Sequence, residues 1–271
     1  MTRIYPFLLS IPHAGTKVPE ELEDSVILDD TALRYYSDPG SLSIFDFKDQ
    51  VAAYHDFRFS RIFVDLNRPP YHLPPRYPDG VVKMRTIDGR RVYREGVFPE
   101  MALIQRLMMR YYFPFHEELD RSIDTRDVQL AIDCHSMLPK GLPGQNDAGK
   151  IRPDICLGNH GGREGYPQPG RLATCPADWI QALAVSFREI FHDDIMVSIN
   201  DPYAGGFISL SHYWHRGVPW IQLEINRSLF EKADSGPVQG TIVNKERIRE
   251  LHKNVWNALT GWWETLPDSR G

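Results

Sequence analysis

Five short runs of the chain are almost continuously apolar. They are Phe7–Ile11, Phe59–Leu66, Val128–Ile132, Ile195–Ile199 and Trp220–Ile225. Runs of that length without alternation are expected for strands covered on both faces. Between them the spacing changes to the helical period. From Met101 to Ile123 the apolar residues Ile104, Leu107, Met108, Tyr111, Phe115 and Leu119 form one stripe, and Pro114 is expected to kink or break it. A second helix is predicted over Ala177–Phe191. A third is predicted over Asn244–Glu264, with Ile248, Leu251, Val255, Leu259 and Trp262 on one face. Strands alternating with helices predict an α/β fold: a three-layer, mixed and mostly parallel sheet with helices on both faces. Two stretches rich in Pro and Gly, at about 69–96 and 139–170, read as loop insertions in a single domain spanning 1–271.

Composition narrows the function classes. The 271 residues are 42% hydrophobic and 25% charged, which suits a globular protein with a sizeable core. The net charge of −5 leaves no basic surplus for a phosphate backbone, so no nucleic-acid partner is expected. No apolar run approaches the roughly 18–20 residues of a membrane span, and Pro6 and Pro12 interrupt the apolar N-terminal stretch, so neither a membrane partner nor a signal peptide is expected. The three cysteines, Cys134, Cys156 and Cys175, lack C-x-x-C spacing and are expected to be reduced thiols in a cytoplasmic protein. The Asn226-Arg227-Ser228 sequon then carries no meaning.

Ligands of such sheets bind beyond the strand C-termini. There the sequence places His13 (in Pro-His-Ala-Gly), His135 (in Asp-Cys-His-Ser), the pair Asn67-Arg68, and Glu224 inside an otherwise apolar run. Two histidines and a carboxylate suit Zn²⁺ with a position left for water. A further carboxylate that is not a ligand can move the proton of that water, and Glu224 is placed for it. The third ligand is open at this level among Asp38, Asp46, Glu20 and Glu21. No H-E-x-x-H helix, G-x-S-x-G elbow, P-loop or dinucleotide fingerprint is present.

The stretches Ser10–Gly15, Ser60–Pro69, Asp133–Ser136, Gly205-Gly206-Phe-Ile and Gln222–Asn226 resemble, in order and spacing, the N-formylglutamate amidohydrolase family. The resemblance implies a fold similar to zinc carboxypeptidases and the phosphorylase/hydrolase-like proteins. It implies one Zn²⁺ per chain (or another divalent ion) on His13, Asp38 and His135, with Glu224 as base. It also implies a small-molecule N-acyl amino acid as partner, its carboxylate held by Asn67 and Arg68. The H-x-x-E spacing of carboxypeptidases is absent, since position 16 is Thr, and this is why the ligand is sought at Asp38. A second cation for a dianionic substrate is expected from Arg61, Arg85 or Arg227. Asn200, Tyr203, Gly205 and Gly206 are expected to form a loop over the site. The implied reaction is hydrolysis of N-formyl-L-glutamate to formate and L-glutamate. The alternatives are another N-acyl amino acid, a peptide or cell-wall amide, or a carboxylate binder without turnover.

Overall fold

The computed structural model describes residues 3–192, 194–232, 236 and 238–267. In chain order the main elements are β1 (Tyr5–Ile11), α1 (Asp30–Tyr36), α2 (Ser41–Ile44), β2 (Val51–Asp56), α3 (Met101–Leu107), α4 (Phe113–Thr125), β3 (Leu130–Met137), β4 (Ile155–Gly158), α5 (Ala177–Ile190), β5 (Val197–Ile199), α6 (Phe207–Arg216), β6 (Trp220–Asn226) and α7 (Lys245–Thr265). The strands form one sheet in the order β2-β1-β3-β6-β4-β5. Every pairing is parallel except β4 with β6. The expected mixed, mostly parallel three-layer architecture is therefore what the chain adopts.

Strand alternation sorts each strand's residues between two cores. Phe7, Leu9 and Ile11 of β1, Leu130, Ile132 and Cys134 of β3, and Ile221, Leu223 and Ile225 of β6 face one way, onto α2, α5 and α7. Leu8, Ala131 and Trp220 face the other way, onto α1, α3 and α4. The second face changes character along the strands. Register sets Leu8 beside Ala131 and Ala131 beside Trp220. One step on, Ser10 lies beside Asp133 and Asp133 beside Gln222, and the last row sets His135 beside Glu224. The sheet thus keeps one wholly apolar face and a second face that turns polar at the strand C-termini.

Four expectations are corrected. Residues Phe59–Leu66 form no strand. They run as successive turns, with Phe63 and Val64 donating to the Ser60 carbonyl and Asp65 donating to Val81. The edge position is taken by β2, whose weaker alternation hid it. Within the stretch 139–170 read as loop, Ile155–Gly158 is β4 and is fully buried. Pro114 does not break the long helix. A π turn over Met108–Tyr112 leads directly into α4, and Pro114, its second residue, falls where the helix passes from π to α bonding. β3 also runs past His135 to Met137, so that histidine lies in the strand rather than beyond it.

Elsewhere the helix boundaries follow local chemistry. Asn244 caps α7 by accepting from the Glu246 and Arg247 N–H groups. Among the described residues no helix is long and apolar enough to cross a membrane. Leu223 is fully buried between α-helical and strand side chains of the first core. Leu223→Ala should lower the unfolding free energy by about 2–5 kcal/mol, read from chemical denaturation.

Candidate metal and substrate site

The polar ends of β1, β3 and β6 open into a cavity of about 220 Å³. His13 follows β1, and Asp38 follows α1 in the turn before α2. The Asp38 N–H donates to the His13 carbonyl at 2.8 Å. That one bond joins the two segments and replaces the missing H-x-x-E spacing. The Ser37 hydroxyl donates to the Gly15 carbonyl at 2.8 Å and tightens the same junction.

Each histidine is fixed from behind by a carboxylate. Asp65 Oδ1 lies 2.8 Å from His13 Nε2, and Asp133 Oδ2 lies 2.9 Å from His135 Nε2. A carboxylate only accepts, so both Nε2 atoms carry hydrogen and both Nδ1 atoms turn their remaining valence inward. There they meet Asp38. His135 Nδ1 is 3.0 Å and His13 Nδ1 is 3.8 Å from the same Asp38 Oδ2. The buried His13 Nδ1 has no hydrogen-bond partner. The three donor atoms lie within 4.8 Å of one another, forming a His–Asp–His group of the kind that could hold a metal ion.

The electrostatics give the same reading. Burial, with the Arg61 charge, brings His13 down to about 4, so it stays neutral. Burial would lower His135 too, but the charge and hydrogen bond of Asp133 and the bond to Asp38 carry it well above its ordinary value. Burial would raise Asp38, yet the His135 hydrogen bond and the two neighbouring imidazoles bring it down to about 2. The pocket therefore draws one positive charge onto the point where the two Nδ1 atoms meet Asp38. As it stands His135 carries a proton on each ring nitrogen; with its Nδ1 proton displaced, two imidazole nitrogens and an ionised carboxylate fit a borderline-soft dication such as Zn²⁺.

Glu224 lines the same cavity and accepts one bond, from Gln222 Nε2 at 2.9 Å. Burial pushes it up to about 7, with the Asp38 charge adding to the rise and His135 opposing it. A carboxyl group poised near neutrality beside a charged ligand set can take up and release a proton.

The predicted site residues divide. His13, Asp38, His135, Glu224, Arg61, Arg68, Tyr203, Gly205, Gly206 and Arg227 all line the cavity. Asn67 does also, but its amide is committed elsewhere. Nδ2 donates to Asp133 Oδ2 at 2.9 Å, and Oδ1 accepts from the Ile208 N–H at 2.8 Å, pinning α6 to β3. Gly206 meets this amide so closely that a Cβ there would lie 2.2 Å from Asn67 Oδ1. Asn200 does not reach the cavity. Its side chain binds Asn159 and the Gly162 carbonyl, bracing the neighbouring loop. Arg85 is exposed and donates to the Gly89 carbonyl. Arg227 donates to the Tyr35 and Ser37 carbonyls, holding the turn that carries Asp38. Asp46 pairs with Lys48, and Glu20 and Glu21 pair with Arg110, away from the histidines. Asn226 donates to the Arg152 and Pro153 carbonyls from a buried position, which accounts for the sequon.

Sequence reasoning gave no role to Asp65, Asp133, Lys83, Asp79, Gln222 or Arg152. Asp133 was within reach, since residues i and i+2 of a strand share a face with His135. Arg152 is buried and clasps Asp147 and Gln145 of its own loop while stacking over Tyr203 at 5.0 Å.

Residues 5–231 match the family model described as N-formylglutamate amidohydrolase. The chain belongs to this family. It is 31% identical over 273 residues to an N-formylglutamate deformylase of Pseudomonas aeruginosa, covering 95% of this chain and 93% of that protein. It is 26% identical over 270 residues to an N-formylglutamate deformylase of Pseudomonas putida, with 95% and 93% covered. The fold is similar to the crystal structure of an N-formylglutamate amidohydrolase from Ralstonia eutropha JMP134, with a TM-score of 0.74, 19% identity, and 97% and 94% of the two chains covered. A gene product of Agrobacterium tumefaciens shares the fold at a TM-score of 0.68 and 18% identity, with 97% of this chain and 90% of that one covered.

In this member of the family the second layer should be separable from the ligands. If the His–Asp–His group holds a divalent metal ion, replacing His13 by Ala should abolish its binding. Asp65→Asn should retain the site and weaken it by about 10–100-fold. Metal analysis of dialysed protein and titration against a chromophoric chelator check both outcomes.

Proposed function

We propose that the protein is a zinc-dependent amidohydrolase that removes the formyl group from N-formyl-L-glutamate, releasing formate and L-glutamate. The observation that carries the metal requirement is the pair of inward Nδ1 atoms converging on Asp38. Family membership and the cationic pocket wall support the substrate. His13, Asp38 and His135 would hold the ion. When bound, it supplies Lewis acidity, polarising a carbonyl and making water a nucleophile near neutral pH.

The chain's own residues do the rest. Glu224 takes a proton from the attacking water as the C–O bond to the formyl carbon forms. It gives that proton to the departing nitrogen as the C–N bond breaks, so one carboxylate serves both steps. Asp65 and Asp133 hold the imidazole planes. Arg61 donates to Asp65 Oδ2 at 3.0 Å and lines the cavity with its charge near His13, Asp38 and Glu224. It is the cation placed to meet the substrate carboxylate nearest the reacting amide, or the oxyanion. Arg68 provides a guanidinium for the other carboxylate. Asn67, given its committed amide, acts as a positioning residue for Asp133 and α6. Gly205, at a φ of 135° that side chains rarely adopt, lets the 200–206 loop approach the pocket.

The first experiment measures metal content and N-formyl-L-glutamate hydrolysis on one purified sample, with and without chelator. About one zinc per chain, with turnover lost on chelation and restored by metal, is expected. Metal without turnover would redirect the assignment to other N-formyl or N-acetyl amino acids. Neither metal nor turnover after zinc addition would leave a carboxylate-binding protein.

Glu224→Gln should keep zinc and lose turnover by about 10²–10⁴-fold. The same variant has a stability signature in metal-free protein. A carboxyl whose folded pKa is raised to about 7 favours folding while protonated, and that contribution drains away as pH climbs from the ordinary carboxylate range through about 7. Metal-free Glu224→Gln should therefore melt higher than metal-free wild type above pH 7, the gap closing toward pH 4. Melting curves across that range provide the check.

A further inference from the structure

Arg68, Lys83 and Asp79 form a group whose arrangement exceeds what a surface ion pair requires. All three line the cavity. Arg68 Nε donates to the Asp79 carbonyl at 2.9 Å, and Arg68 Nη2 donates to Asp79 Oδ2 at 2.7 Å. Lys83 Nζ donates to Asp79 Oδ1 at 2.5 Å. One carboxylate thus spans two cations, an oxygen on each, and fills an outer edge of the guanidinium. The two cations differ from their anion in burial. The Lys83 side chain is 6% exposed and is anchored by the fully buried Asp65 at 3.0 Å. The Asp79 side chain is 55% exposed.

The charges also leave a surplus. In this wall of the cavity Arg61, Arg68 and Lys83 face the two carboxylates of Asp65 and Asp79. Asp65 cannot be released, since it orients His13. Asp79 makes no contact with the histidines, and the Lys83 and Arg68 charges outweigh its burial and hold it ionised.

We propose that Arg68 and Lys83 constitute a distal carboxylate subsite, and that Asp79 occupies it as an internal stand-in that the second carboxylate of a dicarboxylate ligand displaces. Lys83 is then a specificity residue, reading the ligand's second charge as a point cation while Arg68 reads its plane. With Asp79 swung into solvent, the wall presents two net positive charges to a dianion. The price of that match is competition from Asp79, which a monocarboxylate never has to meet. This rests on the amidohydrolase reading for the identity of the ligand, and on geometry alone for the subsite.

The test is calorimetric titration of the zinc-loaded protein with glutarate and, as the single-charge control, pentanoate. Asp79→Asn and Asp79→Ala should each bind glutarate about tenfold more tightly than wild type, with pentanoate within about twofold. The gain should vanish in Asp79→Asn combined with Arg68→Ala. For N-formyl-L-glutamate, Asp79→Asn should lower KM with little change in kcat. Glutarate affinity unchanged or weakened in both Asp79 variants, or a gain that survives loss of Arg68, overturns the proposal. Absence of N-formyl-L-glutamate turnover in wild type would count against the assigned reaction, while the glutarate titration still decides the subsite.

Discussion

Two buried carboxylate–imidazole pairs govern the whole site. Asp65 behind His13 and Asp133 behind His135 fix both tautomers, and with them the direction of the two Nδ1 atoms. A bare buried carboxylate is expensive, and each of these is heavily supported. Asp65 receives Arg61, Lys83 and the Asn67 N–H. Asp133 receives the Ser10 hydroxyl, the Asn67 amide and His135. The segment 59–68 exists in its turned form to deliver this support. Asp65 and Asn67 come from it, and so do the Arg61 and Arg68 cations. In a straight strand Arg61 and Asp65 would share a face but stand about 13 Å apart, and Arg68 would point to the opposite face, so the set would be lost.

This explains what the sequence disclosed. His13, His135 and Glu224 stand at the ends of short apolar strands, and the pattern marks strand ends well because burial on both faces leaves few polar residues to confuse it. Asp38 was reached through the family resemblance; its anchor is a backbone bond to the His13 carbonyl, which leaves no mark in residue spacing. Phe59–Leu66 was misread for a related reason. Ile62, Phe63, Val64 and Leu66 are all buried, so the apolar signal was sound about burial and silent about backbone. The true edge strand β2 is half-covered and short, and β4 is four residues inside a Gly- and Pro-rich stretch. Arg85 and Asn200 carried suitable side chains, but local turn bonding claims both.

Asn67 lines the cavity, yet its amide is committed to the scaffold around it. Its amide bonds Asp133 on one side and the first turn of α6 on the other, and Gly206 leaves the room for it. The first turn of α6 is thereby coupled to the imidazole of His135 through three hydrogen bonds, by way of Asn67 and Asp133. The Gly205-Gly206 pair and the Asp-Leu-Asn-Arg segment lie far apart in sequence, yet they are halves of one packing contact.

The contrast between Asp38 and Glu224 completes the chemistry. Both carboxyl groups are buried in one cavity, and burial raises both. Asp38 faces two imidazoles and ends at about 2, while Glu224 has one amide donor and ends at about 7. Their environments push them apart, and that separation suits the roles proposed for them, an ionised ligand in Asp38 and a proton carrier in Glu224. Strand register enforces the difference. Glu224 pairs in register with His135 of β3 on one side and with Cys156 of β4 on the other, so its strand neighbours are one imidazole and one thiol, where Asp38 faces two imidazoles. Moving Glu224 by one residue would turn it into the apolar core against α5 and α7, and moving it by two would place it beside Asp133, where a second carboxylate would disturb the Nε2 pairing of His135. Position 224 is the register at which a carboxyl group can neighbour the ligand set without joining it.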